Sequence, residues 1–134
     1  MTNVLIIEKR DQIKQAFLNE KVYTVVSNNK AQALNMVTES EPLVVLLDYS
    51  FMQIETVSYI KALRAKCSHC KIIVIGDALR DKEVLNCLIA GAIGYQNLDR
   101  LREYASKLIE AINAGEAWIT RRLTAKLLEK LCGY

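Results

Sequence analysis

Leu43-Val44-Val45-Leu46-Leu47-Asp48 constrains this chain more than any other stretch. Five apolar residues run without a break and end on a carboxylate, bounded by Pro42 on one side and polar Tyr49-Ser50 on the other. A Val/Leu run this short reads as a strand buried on both faces, the kind found in the middle of a parallel sheet covered by helices. A charged residue at the C-terminal end of such a strand is not core. It lies at the rim where open α/β sheets place their sites. Asp48 is therefore the first candidate functional residue. The plain alternative is that it only ends the strand or caps the next helix.

The remaining elements alternate around this strand. Val4-Leu5-Ile6-Ile7 is a short apolar strand that ends at Glu8-Lys9-Arg10-Asp11, and Ile13, Ala16 and Phe17 give a helix from about Asp11 to Asn19. Val22 to Val26 is a β-branched second strand. Ser27-Asn28-Asn29 is a capping cluster before a helix marked by Ala31, Ala33, Leu34 and Val37. Ile54, Val57, Ile60 and Leu63 mark a third helix, Lys71–Ile75 a fourth strand stopping at Gly76-Asp77, and Val84, Leu85, Leu88 and Ile89 a fourth helix ended near Gly91. Ala92-Ile93-Gly94-Tyr95 is a short fifth strand. Leu98, Leu101, Tyr104, Leu108, Ile109 and Ile112 form a long fifth helix.

Five strand–helix units with right-handed crossovers demand an α/β fold: a doubly wound, five-stranded parallel sheet. The flavodoxin-like order 2-1-3-4-5 places its switch point between strands 1 and 3. In that order Glu8 and Asp48 meet in one crevice, with Gly76 and Leu98 beside them. Residues 114–134 are extra. Thr120 can cap a further C-terminal helix with Leu123, Leu127, Leu128 and Leu131 along one stripe. That stripe must be covered by the domain, by a second copy, or by something beyond Tyr134.

Composition narrows the function classes. The chain has 134 residues, a net charge of +3 and an ordinary globular balance of 51% hydrophobic and 25% charged residues. The basic excess is spread along it, so charge makes no case for direct nucleic-acid binding. No apolar run approaches the roughly 20 residues of a membrane span, and the N-terminus reaches charge too soon for a signal peptide; a cytoplasmic location is expected. Of the four cysteines, Cys67 and Cys70 flank Ser68-His69. With one histidine in the chain a four-ligand zinc site is not expected, and in a cytosolic chain these read as free thiols in a polar turn. A flavin or nucleotide site needs a Gly/Ser/Thr-rich loop after strand 1, and Glu8-Lys9-Arg10-Asp11 has none. No nucleophile motif surrounds the histidine, so a hydrolase is not expected.

The strand-end acid Glu8, the Val-Leu-Leu-Asp ending of the central strand and Gly91-Ala92-Ile93-Gly94-Tyr95 together resemble the receiver domain of bacterial two-component response regulators, a CheY-like fold, over residues 3 to about 113. Ala111 to Ile119, then Leu127-Leu128, is similar to the linker of the NarL/LuxR subfamily, which leads to a helix-turn-helix DNA-binding domain. The resemblance divides the chain into a receiver-like domain, 1–115, and a C-terminal linker helix, 116–134. It implies that Asp48 is the phosphoacceptor position, that acids after strand 1 help hold Mg²⁺, that a Thr or Ser ends strand 4 and that a Lys follows strand 5. It also implies that Tyr95 is the switch aromatic, which turns inward on activation, and that helices four and five form the association face.

Three positions depart from the family pattern. Lys9 replaces the second acid, Gly76 the hydroxyl and Leu98 the lysine. An ammonium in place of a hard oxygen ligand repels Mg²⁺. Loss of donors in related electrostatic sites costs about 10²–10³ each. The expectation is a degenerate, non-enzymatic pseudo-receiver in which Lys9 sits in the metal's place and pairs with Asp48 or Glu8. It holds no cofactor and no metal, and it regulates transcription through a protein partner or homodimer built on helices four and five and the C-terminal helix. The alternative is a conventional phosphoreceiver taking phosphate on Asp48 from a histidine kinase, with Mg²⁺ on Glu8 and Asp48. Any DNA-binding domain is expected beyond residue 134.

Overall fold

The computed structural model describes residues 1–133, so the last residue of the expected 116–134 segment lies outside the described residues. Five parallel strands, β1 (Thr2–Ile7), β2 (Val22–Ser27), β3 (Val44–Asp48), β4 (Lys71–Gly76) and β5 (Gly94–Asn97), form one sheet in the order β2-β1-β3-β4-β5. The connecting helices are α1 (Gln12–Ala16), α2 (Lys30–Ser40), α3 (Thr56–Lys66), α4 (Asp81–Ala90) and α5 (Leu101–Asn113), followed by α6 (Arg121–Cys132). This is the flavodoxin-like, CheY-like architecture expected from the alternation.

β3 is buried at all five positions, as a strand covered on both faces must be. Its alternating side chains feed two cores. Val45 and Leu47 join one with Ala33, Val37, Ile60, Leu63, Leu85 and Leu88, beneath α2, α3 and α4. Val44 and Leu46 join the other with Ile13, Phe17, Leu101, Ala105 and Leu108, beneath α1 and α5. Leu43 stands outside the strand and is exposed.

Several local expectations shift. Helix α1 stops at Ala16, and residues 17–20 form turns. Ile54 lies in a 3-10 turn (Gln53–Glu55) ahead of α3 and is 84% exposed, so it is no part of the core face. β5 begins at Gly94, two residues later than its apolar run: Ala92 N–H closes the turn from α4 on Cys87 O, and Ile93 N–H donates to Ile72 O of β4 just ahead of the strand. Leu98 opens a 3-10 turn (Leu98–Arg100) before α5.

The domain itself covers part of the C-terminal stripe, Leu123 and Leu127. Thr120 caps α6, accepting from Leu123 N–H at 3.2 Å, and Leu123 is buried in the α2/α3/α4 core. Leu128 and Leu131 stay exposed. The thiol expectation for Cys67 and Cys70 is overturned: the two are joined as a disulfide, both sulfurs buried in the turn between α3 and β4. The physical reason is the turn itself, which brings their Cα atoms to 5.7 Å, within disulfide reach. Cys87 is a buried free thiol and Cys132 an exposed one. No helix among the described residues is long and apolar enough to cross a membrane.

Candidate functional site

The sheet order assembles the site. β1 pairs with β3 so that Ile7 lies beside Leu47, which places Glu8 and Asp48 next to each other just past the strand ends. β4 pairs with β3 and β5, and Gly76 stands opposite Asn97, one residue before Leu98. All the singled-out positions therefore reach one rim of the sheet.

Glu8 is 1% exposed and already occupied. Its two carboxylate oxygens accept from the N–H of Ile13 at 2.8 Å and of Lys14 at 3.0 Å, the first turn of α1. Asp11, in the cap position of that helix, makes no side-chain bond, so Glu8 satisfies donors that would otherwise be orphaned. Burial pushes the Glu8 carboxyl up from its ordinary value. The two N–H donors oppose this, and the charges of Asp48 and Asp11 add to it.

Asp48 is nearly buried and is tied to the chain two residues on. The Ser50 hydroxyl lies 2.8 and 2.9 Å from its two oxygens, and Ser50 N–H donates to one of them at 3.1 Å. Asp48 thus caps the short turn Tyr49–Met52, the bland role weighed for it, while remaining at the rim. Asp-x-Ser directly after a strand is the sequence signal for this arrangement.

Lys9 departs from expectation. It is exposed, and among the described residues it makes no ion pair with Asp48 or Glu8. The reason is energetic: Glu8 is already satisfied by backbone donors, and burying an ammonium beside it would cost the hydration of that charge.

Gly76 is more than a missing hydroxyl. A Cβ built on it would lie 2.7 Å from Leu79 Cγ, 2.8 Å from Leu79 Cδ1 and 2.9 Å from Tyr95 Cε1. The space a Thr or Ser side chain would need is filled by these two residues. Tyr95 is half-buried there. Its hydroxyl accepts from Leu79 N–H at 3.2 Å and donates to Asn97 Oδ1, and burial raises its pKa. Leu98 is half-buried against the α1/α5 core, so the position at which the resemblance implied a lysine makes a core contact. Ser50, Leu79 and Asn97 went unrecognised in the sequence because their roles depend on which loops meet at the rim.

Next to Ser50 a cleft of about 530 Å³ opens between the turn after β3 and the start of α4, lined by Tyr49, Ile54, Val57, Leu79 and Arg80 among others. The Glu83 carboxylate crosses it. Glu83 accepts from Tyr49 Oη–H at 3.3 Å and from Arg80 N–H at 3.0 Å, and Arg80 holds its carboxyl below the usual range.

The donor set does not suit Mg²⁺. That ion prefers octahedral oxygen ligands, with carboxylates free to face it. Here both carboxylates already accept from protein donors, and the third position is an outward lysine. Among the described residues no group of three or more His, Cys, Asp or Glu side chains comes together.

No protein-family model matches this chain, and no curated protein matches it in sequence. Solved structures do match. The isolated REC domain of RcsB from Salmonella enterica serovar Typhimurium aligns with a TM-score of 0.82 at 18% identity, covering 96% of this chain and 99% of that one. A LuxR-family two-component response regulator from Aurantimonas aligns at 0.79 and 16% identity, covering 98% and 99%. The receiver domain of the putative response regulator NarL from Mycobacterium tuberculosis aligns at 0.74 and 21% identity, covering 86% and 98%. Sheet order, helix placement and these likenesses agree that the chain has the fold of a response-regulator receiver domain.

Proposed function

We propose that this chain is a regulatory receiver-like domain of a two-component response regulator, that it is not an enzyme, and that it works through protein contacts without efficient phosphorylation. One observation carries the reading. The space at Gly76, where a phosphoryl group would need a hydroxyl donor, is filled by Tyr95 and Leu79, and Tyr95 is bonded in place by Leu79 and Asn97. The switch aromatic is held over the end of β4 with no phosphate to draw it there. Glu8 committed to α1, Lys9 turned to solvent and Leu98 packed on the core support the same conclusion. Phosphoryl transfer relies on positioning and on cations or donors that neutralise developing charge, and those groups are spent or absent at this rim.

The second reading, a conventional phosphoreceiver, is favoured by Asp48 alone, which keeps its rim position beside the cleft. A titration with Mg²⁺ and beryllofluoride, followed by amide NMR with Asp48→Ala as control, separates the two. The expected result is no saturable shift at millimolar ligand. Shifts that start at Asp48, reach Tyr95 and vanish in the variant would overturn the proposal and restore phosphate transfer from a histidine kinase. A protein partner, or a second copy, is the expected effector in the first case, as is a DNA-binding domain elsewhere in the regulator.

A further inference from the structure

The Cys67-Ser68-His69-Cys70 turn lies at the end of the sheet away from Asp48: Lys71 opens β4 opposite Val44, whereas Asp48 pairs with Ile75. The turn is held by more than its disulfide. Arg64 Nη1 donates to Ser68 O at 2.6 Å and to Cys70 O at 3.4 Å. Cys67 N–H donates to Leu63 O at 2.9 Å, and Lys71 N–H donates to Leu43 O at 2.8 Å. Gly91 makes room for this clamp, since a Cβ there would lie 3.0 Å from Arg64 Cγ and 3.2 Å from its Cδ. None of these contacts uses a sulfur, so they hold the turn with the bond open or closed. Closing so short a loop also removes less entropy from the unfolded chain than closing a long one.

The surroundings suit thiolate chemistry. His69 is exposed and its ring lies beside Cys67 Sγ, with Nε2 at 3.6 Å and Nδ1 at 3.9 Å. Cys67 is 4% exposed and Cys70 1%, under a tip, Ser68-His69, that is itself exposed. The C-terminal end of α3 disfavours an anion. Against this, Arg64 and Lys66 stand in its last turn, Lys71 follows, and residues 64–71 contain no acid. Cations and an imidazole beside a sulfur are the setting of exchanging thiols, and apolar burial that of inert ones. Cys87 is the second case, its thiol pushed up to about 11 by burial and then by Glu83.

We infer that Cys67 and Cys70 form a thiol–disulfide exchange site for a low-molecular-weight thiol and its disulfide. Cys67 is the attacking thiol, being the more accessible sulfur and the one beside His69; Cys70 resolves. In the closing direction the Cys67 thiol passes its proton to the His69 imidazole. Its sulfur bonds to one sulfur of the external disulfide, that S–S bond breaks, and the first external thiol leaves with the proton from His69. The Cys70 sulfur then attacks Cys67 Sγ, the mixed disulfide breaks, and the second external thiol leaves with the Cys70 proton. One external disulfide is reduced to two thiols while the protein dithiol is oxidised to the Cys67–Cys70 bond, and excess external thiol runs the same steps in reverse. Exchange here does not depend on whether Asp48 accepts phosphate.

The test uses the full chain with Cys132→Ser, which removes the exposed free thiol. After reduction the amide spectrum should change around residues 63–71 and stay folded elsewhere. Glutathione disulfide is the probe. Acid-quenched intact-mass spectra should show a mixed disulfide rise and decay as the internal bond forms, and peptide maps should place it on Cys67. Excess reduced glutathione should reopen the bond in the folded chain. His69→Ala should leave the fold intact and slow closure by about threefold, an about tenfold loss of thiolate being partly offset by the greater nucleophilicity of a more basic thiol. Cys70→Ser should stop at the Cys67 adduct. Should that variant not fold, a pulse of iodoacetamide on the reduced Cys132→Ser chain decides the same point by labelling Cys67 before Cys70. A bond that closes or reopens only in urea, or a reduced chain that unfolds, would show a structural cross-link and overturn the site. An adduct formed first on Cys70, or closure indifferent to His69→Ala, would overturn the roles given to Cys67 and His69.

Discussion

Placing a side chain at Gly76 tests whether Tyr95 is locked by packing. Carbon pairs settle at about 3.5–4.0 Å. The contacts of 2.7, 2.8 and 2.9 Å that a Cβ would make therefore call for displacements of about 0.6–1.3 Å. Leu79 Cδ1 is the end of a side chain and can swing. Its Cγ and the Tyr95 ring have less room. The Leu79 N–H to Tyr95 Oη bond is already 3.2 Å long, so a ring shift of about 0.6 Å outward takes it past bonding range. Overpacking costs about 1–3 kcal/mol. Replacing a glycine with a residue that carries a Cβ stabilises by about 0.4–1 kcal/mol through the unfolded chain where the backbone conformation suits it. Gly76 is not among the positive-φ glycines, so that gain applies. The net expectation for Gly76→Ala and Gly76→Ser is a loss of about 1–2 kcal/mol in urea unfolding. Tyr95 and Leu79 amide resonances should move in both variants. Adding Leu79→Ala should recover part of the loss, since a double-mutant cycle reports contact between the two positions. A Gly76→Ser protein as stable as wild type, with Tyr95 undisturbed, would show that the space over β4 is open and that the missing hydroxyl, not packing, defines this site.

Further outcomes follow from the charged groups and thiols. Glu8→Ala should cost about 1–3 kcal/mol by stranding the Ile13 and Lys14 N–H groups, read by urea unfolding. Because burial raises the Glu8 pKa, the folded state binds the extra proton; the stability this gives is present below 4.5 and lost as pH rises through the raised folded value, a slope that Glu8→Gln should flatten. Asp81 has the opposite sign. Its hydrogen bonds to Arg122 and then Lys126 push its carboxyl down to about 2 from 3.8, so stability present above 3.8 is lost as pH falls toward 2. Far-ultraviolet and Trp118 fluorescence titrations of wild type and Asp81→Asn should diverge only in that window. Native alkylation should label exposed Cys132 first and leave Cys87, whose thiol burial pushes up to about 11, until the chain unfolds; Cys67 and Cys70 should react only after reduction. Labelling of Cys67 without reductant would contradict the disulfide.

Much of the fold lies in local patterns. The unbroken Val44–Leu47 run marks a strand covered on both faces, and regular alternation of strands with helical stripes forces parallel crossovers, while the order β2-β1-β3-β4-β5 that brings Glu8, Asp48, Gly76 and Leu98 to one rim is one of the orders such alternation allows. Burial pattern and connection length are properties of neighbouring residues, so the sequence carries them directly. What each rim residue does there is another matter. Glu8 serves α1, Lys9 faces water and Gly76 makes room for Leu79 and Tyr95, and each outcome depends on which groups arrive from segments far along the chain. The same holds for the Cys67–Cys70 bond, set by a turn that brings two backbones close, and for the cover over the C-terminal stripe. An amphipathic helix declares in sequence that it needs a partner. Only the tertiary structure, by placing Asp81 opposite Arg122 and Lys126 and leaving Gly94 bare beneath Trp118, decides that its own domain covers Leu123 and Leu127 of that face while Leu128 and Leu131 stay exposed.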